Sequence, residues 1–220
     1  MSTTEARGLF ITFEGLDGSG KTTQMRLLAE RLERAGRRVL LTIEPGGTPI
    51  GERIRTLLLD RSGARLTPEA ELLLYFASQA QNIEEVILPA LERGEIVLSD
   101  RFTDSTVVYQ GFGRGLGEEP VRAVERVACR GLKPDLTICL EIDPDVGLER
   151  ARARNESAGA RQTRMDEQPA DFYRRVSEGY RTLAEREPER FRLIDGRRPP
   201  DKVAEDVWRA VAPLAGLRDD

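Results

Sequence analysis

Short apolar runs alternate along the chain with longer stretches in which apolar residues recur every three to four positions. Leu9–Glu14 (LFITFE) reads as a buried strand, and Lys21–Arg34 as a helix with Leu27, Leu28 and Leu32 on one face. Val39–Glu44 (VLLTIE), introduced by the helix-ending Gly36, reads as a second strand. Ile96–Asp100 (IVLSD), Leu136–Ile142 (LTICLEI) and Phe191–Asp195 (FRLID) supply three more. One long helical region is expected from Glu69 to about Glu92, and further helices at Asp145–Ala153, Ala170–Arg186 and Pro200–Ala212. Strands separated by helices at this spacing imply crossover connections, hence an α/β protein with a mostly parallel sheet covered on both faces.

The chain carries no internal repeat and no linker rich in Pro, Gly or Ser, so its 220 residues are expected to form one domain. A charged share of 33% against 39% apolar fits a soluble protein coated in charged helices. The net charge of −4 speaks against nucleic acid as a partner, although arginines cluster between Glu149 and Arg164. Cys129 and Cys139 have no CxxC spacing, MSTTEARG has no apolar leader run, and no segment approaches a membrane span, so the expected setting is the cytoplasm. The absence of histidine removes Ser-His-Asp triads, histidine bases and histidine-bound zinc. Lysine occurs only at Lys21, Lys133 and Lys202, because arginine carries nearly all the positive charge.

One of those lysines lies in Gly15-Leu16-Asp17-Gly18-Ser19-Gly20-Lys21-Thr22, which matches G-x-x-x-x-G-K-[ST] between an apolar strand and an amphipathic helix. Glycines there let backbone N–H groups turn inward around a phosphate at a helix N-terminus. Lys21 is expected to reach the β- and γ-phosphates of ATP, and Thr22 to offer its hydroxyl to Mg²⁺. A phosphate loop alone does not separate kinases from switch GTPases, transport ATPases or recombinases. The lack of an N-K-x-D guanine-reading sequence, at this length, favours a small-molecule kinase.

Further motifs follow in order: Glu44-Pro45-Gly46-Gly47-Thr48 with Arg53 and Arg55, Asp100-Arg101-Phe102, Ser105-Thr106, Tyr109-Gln110-Gly111 and Pro134-Asp135-Leu136-Thr137. From about Leu9 to Val211 the chain resembles bacterial thymidylate kinases. That resemblance implies a three-layer P-loop kinase fold with a five-stranded parallel sheet and a mobile lid. It also implies transfer of the γ-phosphoryl of Mg-ATP to dTMP, for dTTP synthesis, in a homodimer. Arg101, just past a strand end, is placed to grip the acceptor phosphate with a bidentate fork, and Asp100 to help hold the metal or its waters. By resemblance, Asp17 lies near the acceptor's sugar and phosphate, and Glu44 and Arg55 line the acceptor site. Thr106 and Gln110 meet the thymine edge, Tyr109 crowds the sugar 2′ position, and Tyr75 and Phe76 lie where an aromatic stacks on the base. An arginine common in the family one turn later is replaced by Gln79, which can donate one neutral hydrogen bond to a carbonyl.

The polar stretch Asn155–Gln168 is expected to be the lid. The loop residues Leu16, Asp17 and Ser19 offer no cation, so the arginine that meets charge on the transferred phosphoryl is expected from the lid. Aligned on Asp171-Phe172-Tyr173, the resemblance puts that role on Arg164, with Arg161 secondary and Asp166 an acidic neighbour. Two other functions fit the same loop. One is a kinase for a different monophosphate or a deoxynucleoside; the other is an ATP-binding switch that transfers nothing, for which Arg101 has no use.

Overall fold

The computed structural model describes residues 7–60, 65–157 and 168–218. Five strands, β1 (Phe10–Glu14), β2 (Val39–Ile43), β3 (Ile96–Asp100), β4 (Leu136–Glu141) and β5 (Phe191–Asp195), form one sheet in the order β2-β3-β1-β4-β5. All the pairs are parallel, with Phe13 opposite both Asp100 of β3 and Ile138 of β4. The order reverses beside β1, which puts the carboxyl ends of β1 and β3 at the switch point where open α/β sheets bind ligands.

Alternation along the central strands sorts side chains to two cores. Ile11, Phe13, Leu98 and Ile138 face α1 (Lys21–Arg34) and α9 (Pro200–Val211), where Leu32, Val207 and Val211 are fully or almost fully buried. Phe10, Val97 and Cys139 face the other way, onto α3 (Pro68–Asn82), α6 (Glu118–Cys129) and α8 (Ala170–Arg186). Each large apolar side chain so buried contributes about 1.5–3 kcal/mol relative to exposure. Residues 12 and 14 share the second face with Phe10, but they are Thr and Glu; that polar row becomes part of the site.

Two helices differ from the sequence expectation. The run from Pro68 does not continue as regular helix to Glu92: a π-helical turn at Ile83–Ile87 separates α3 from α4 (Leu88–Glu92). Pro89 is the physical reason. It has no N–H to give and its ring crowds the preceding turn, so the ladder lengthens, with Leu88 N donating to Ile83 O. The segment after β3 is also helical: α5 (Thr103–Thr106) passes into a second π-helical turn at Val107–Gly113. A short helix, α2 (Pro49–Leu59), follows the EPGGT sequence, N-capped by Thr48, whose Oγ1 accepts from Gly51 N at 2.9 Å. The remaining described helix, α7, spans Pro144–Ser157. Of the segment expected to be the lid, 155–168, residues 158–167 lie outside the described residues.

Candidate active site

The loop between β1 and α1 has Gly15, Gly18 and Gly20 at φ of 125°, 79° and 95°. At two of these a side chain has no room. A Cβ on Gly15 would meet Leu140 O at 2.5 Å, and one on Gly18 would meet Gly147 O of α7 at 2.3 Å. The loop is therefore wedged between β4 and the start of α7, with its open side at the N-terminus of α1. Lys21 crosses back over the loop, its Nζ donating to Gly15 O at 3.1 Å and Leu16 O at 2.9 Å. Burial, and next the neighbouring Arg101, lower its pKa from the ordinary lysine value. A nearly buried cation so placed gains most from an anion brought beside it. Thr22 donates its hydroxyl to Oδ2 of Asp100 at 2.8 Å, joining the loop to the end of β3.

Arg101 is the first residue beyond β3 and takes φ 73°, unusual for a residue with a Cβ. Three hydrogen bonds hold that backbone: Arg101 N to Phe13 O at 2.9 Å, Ser99 Oγ to Arg101 O at 2.7 Å, and Phe102 N to Glu14 Oε1 at 2.8 Å. The turn throws the guanidinium across the mouth of the sheet. There Nη2 meets Asp17 Oδ1 at 2.9 Å and Tyr109 Oη at 3.2 Å, while Nη1 meets Ser105 Oγ at 2.9 Å. The same guanidinium lies 4.9 Å from the centroid of the Tyr109 ring.

Beneath Arg101 sits Glu14, fully buried, a residue the sequence reading assigned no role. It accepts from Phe102 N, from Ser105 Oγ, and from Tyr180 Oη at 2.9 Å. Burial pushes its pKa up to about 7, reinforced by the charge of Asp104 and opposed by Arg101 and the two hydroxyls. Its one trace in the sequence is a carboxylate closing the mostly apolar run of β1. Ser105 and Tyr180 complete this polar floor.

Lys21, Thr22, Asp100, Arg101 and Ser105 open on one cavity of about 580 Å³, with Glu14 and Tyr180 not in its lining. Its wall includes Asp17, Gly18, Gly20, Lys21, Thr22, Asp100 and Arg101 from the loop and strand ends. Glu44, Arg55, Tyr75, Gln79, Thr106, Tyr109 and Gln110 also line it. So does Arg150 of α7, beside Gly18, a cation that the sequence reading gave no role. Gly15, Leu16 and Ser19, also of the loop, do not line this cavity. Of the aromatic pair expected near the base, Tyr75 faces the cavity, whereas Phe76, 2% exposed, packs in the core, because adjacent helical residues point in different directions.

Glu44 is almost wholly buried: Ser78 donates to its Oε2 at 3.0 Å, and Oε1 has no hydrogen-bond partner. Burial raises its pKa to about 8, against the pull of the Asn82 amide, Ser78 and Arg55. Arg55 itself donates to Pro45 O at 2.7 Å. Gln79, expected to offer an N–H to a ligand carbonyl, donates one of its two to Thr106 Oγ1 at 2.7 Å. Arg161, Arg164 and Asp166 lie outside the described residues.

The thymidylate kinase family profile matches residues 13–207. A thymidylate kinase of Citrifermentans bemidjiense is 52% identical over 190 residues, 86% of this chain and 84% of that protein. One of Pelobacter propionicus is 49% identical over 201 residues, 91% and 92% of the two chains. The crystal structure of thymidylate kinase from Ehrlichia chaffeensis superposes with a TM-score of 0.74 at 32% identity, covering 93% of this chain and 99% of that one. The profile takes in the phosphate loop, the arginine turn after β3 and the last strand of the sheet together, and the chain belongs to the thymidylate kinase family.

Proposed function

We propose that this chain transfers the γ-phosphoryl group of ATP to dTMP, giving ADP and dTDP, within one kinase domain closed by a lid at about 155–168. The observation that carries the reading is that the loop lysine and a second cation, Arg101 from the end of β3, open on one cavity. A kinase joining two anions needs one cationic grip for the donor and another for the acceptor. A nucleotide switch needs only the first.

The residues then have distinct tasks. Backbone N–H groups of the loop and Lys21 receive the donor phosphates, the Lys21 ammonium exchanging carbonyl partners for phosphate oxygens. Arg101 presents its fork to the acceptor phosphate, with Asp17 and Tyr109 holding the guanidinium plane. The Tyr109 ring limits the space beside the acceptor sugar and disfavours a 2′-hydroxyl. Tyr75 offers the base an aromatic face, and Thr106 and Gln110 its polar edge. Arg164, from the lid, meets charge that develops on the moving group. Thr22 and Asp100 suit Mg²⁺: a hydroxyl and a carboxylate oxygen 2.8 Å apart beside the phosphate loop form the sparse oxygen set this ion uses when phosphates complete its shell. When bound there, the ion neutralises charge on the β- and γ-phosphate oxygens.

The working form is a homodimer in the cytoplasm, with small nucleotides rather than nucleic acid or membrane as partners. Support comes from α3, which packs against both α2 and α6; the three helices leave Leu57, Leu73 and Val127 exposed at 53%, 57% and 80%. Among the described residues no helix is long and apolar enough to cross a membrane.

An acceptor panel tests the reading. With Mg-ATP the purified protein is offered dTMP, dUMP, dCMP, dGMP and UMP, and diphosphate products are quantified. The expected order puts dTMP first. Product from another acceptor at a higher kcat/KM, or ADP formed equally without acceptor, overturns it.

A further inference from the structure

One wall of the cavity carries two buried glutamines, Gln79 and Gln110. A side-chain amide donates at one end and accepts at the other, so the end left free decides which ligand groups it can meet. For Gln110 the protein fixes that choice. Its Nε2 donates to Oε1 of Glu71 at 2.8 Å. Glu71, 1% exposed, is gripped by Arg114, with Nε to Oε1 at 3.0 Å and Nη2 to Oε2 at 3.2 Å. A carboxylate paired with a guanidinium can only accept, so the amide cannot reverse. Gln110 Oε1 is left buried without a hydrogen-bond partner, on a side chain that lines the cavity.

Gln79 is held more softly. Its Nε2 donates to the Thr106 hydroxyl at 2.7 Å, and its Oε1 accepts from the Cys129 thiol at 3.7 Å. A hydroxyl can turn and a thiol is a weak donor, so this part of the wall adapts to what it meets. Fixed polarity resides at Gln110.

We propose that Glu71, held by Arg114, is a specificity-determining positioning residue that locks the Gln110 amide with its acceptor toward the base. An acceptor there selects a pyrimidine ring whose N3 carries a hydrogen, as in thymine and uracil. It rejects cytosine, whose N3 is itself an acceptor. A ligand N–H relieves the orphaned Gln110 oxygen, whereas cytosine sets acceptor against acceptor and leaves both unmatched. The inference rests on the reading that a pyrimidine monophosphate occupies this cavity.

The test compares wild type with Glu71→Gln. A neutral amide at position 71 can donate or accept, which frees Gln110 to reverse. Dissociation constants for dTMP and dCMP are measured by calorimetry, alongside kcat/KM for both. The expected result is that wild type prefers dTMP and that the preference shrinks about tenfold or more in the variant. Most of the change comes through tighter binding of dCMP, with KM for ATP unchanged. Gln110→Met, which removes the acceptor and keeps the volume, collapses the same ratio and serves if Glu71→Gln does not fold. A dTMP-to-dCMP ratio unchanged in the folded variant, or equal losses on both ligands, overturns the inference. Wild-type turnover of dTMP reports separately on the underlying reading, because the binding ratio needs no transfer.

Discussion

Glu14→Gln isolates the energetic role of the carboxylate beneath Arg101. The folded-state pKa of Glu14 is about 7, against an ordinary value of 4.5, chiefly because the group is buried. Folding therefore favours the protonated form. The stability associated with that proton is fully present below about 4.5 and is lost as pH rises through about 7. At ~1.4 kcal/mol per pKa unit, the loss across this window is about 3 kcal/mol. Glutamine keeps the shape and has no proton to lose. Its carbonyl can still accept from Phe102 N, and the hydroxyls of Ser105 and Tyr180 can turn to accept from its amide. That rearrangement costs about 1 kcal/mol at low pH. The variant is thus expected to be slightly less stable than wild type near pH 5 and about 2 kcal/mol more stable at pH 8. Urea unfolding of both proteins at half-unit steps from pH 5 to pH 8 measures the difference. Glu44 titrates in both proteins and cancels. A stability difference that stays constant across the range would mean that folding is not linked to a proton on Glu14.

Other expectations are direct. Lys21→Ala should fold normally, because the loop turn rests on its glycines, yet lose about a hundredfold or more in kcat, read by a coupled ADP assay. Tyr109→Ala should narrow the preference for dTMP over its ribonucleotide; an unchanged ratio of kcat/KM would reduce Tyr109 to packing. Arg164→Ala should lower kcat and kcat/KM together by roughly a hundredfold, with little change in ATP affinity. If Arg161→Ala is the more damaging, the catalytic cation is Arg161.

The strands could be read from the sequence because a parallel sheet covered on both faces demands near-continuous apolar runs, and few other structures do. The phosphate loop was legible because its glycines answer a backbone requirement, visible here at Gly15 and Gly18. Helical detail was less so. One proline, Pro89, shifts a ladder that periodicity alone would carry through, and the segment around Tyr109 lacks an amphipathic pattern because Val107, Val108, Tyr109 and Gln110 are all buried. The buried carboxylates were hidden for a related reason. Glu71 in a helix reads as a solvent-facing charge, and only the approach of Arg114 from a distant segment makes its burial tenable. Glu14 is the same case at a strand end, and Phe76 the converse, an aromatic expected at the ligand that belongs to the core.

In the proposed reaction Lys21 and Arg101 serve one transfer between two nucleotides, and label on the γ-phosphate of ATP follows that transfer. The protein is mixed with γ-labelled Mg-ATP, with and without dTMP, and products are separated over time. Label is predicted to appear on dTDP, one for each ADP formed, with negligible ADP when dTMP is withheld. Label released as inorganic phosphate at the same rate with or without dTMP would mean that the protein carries out no such transfer.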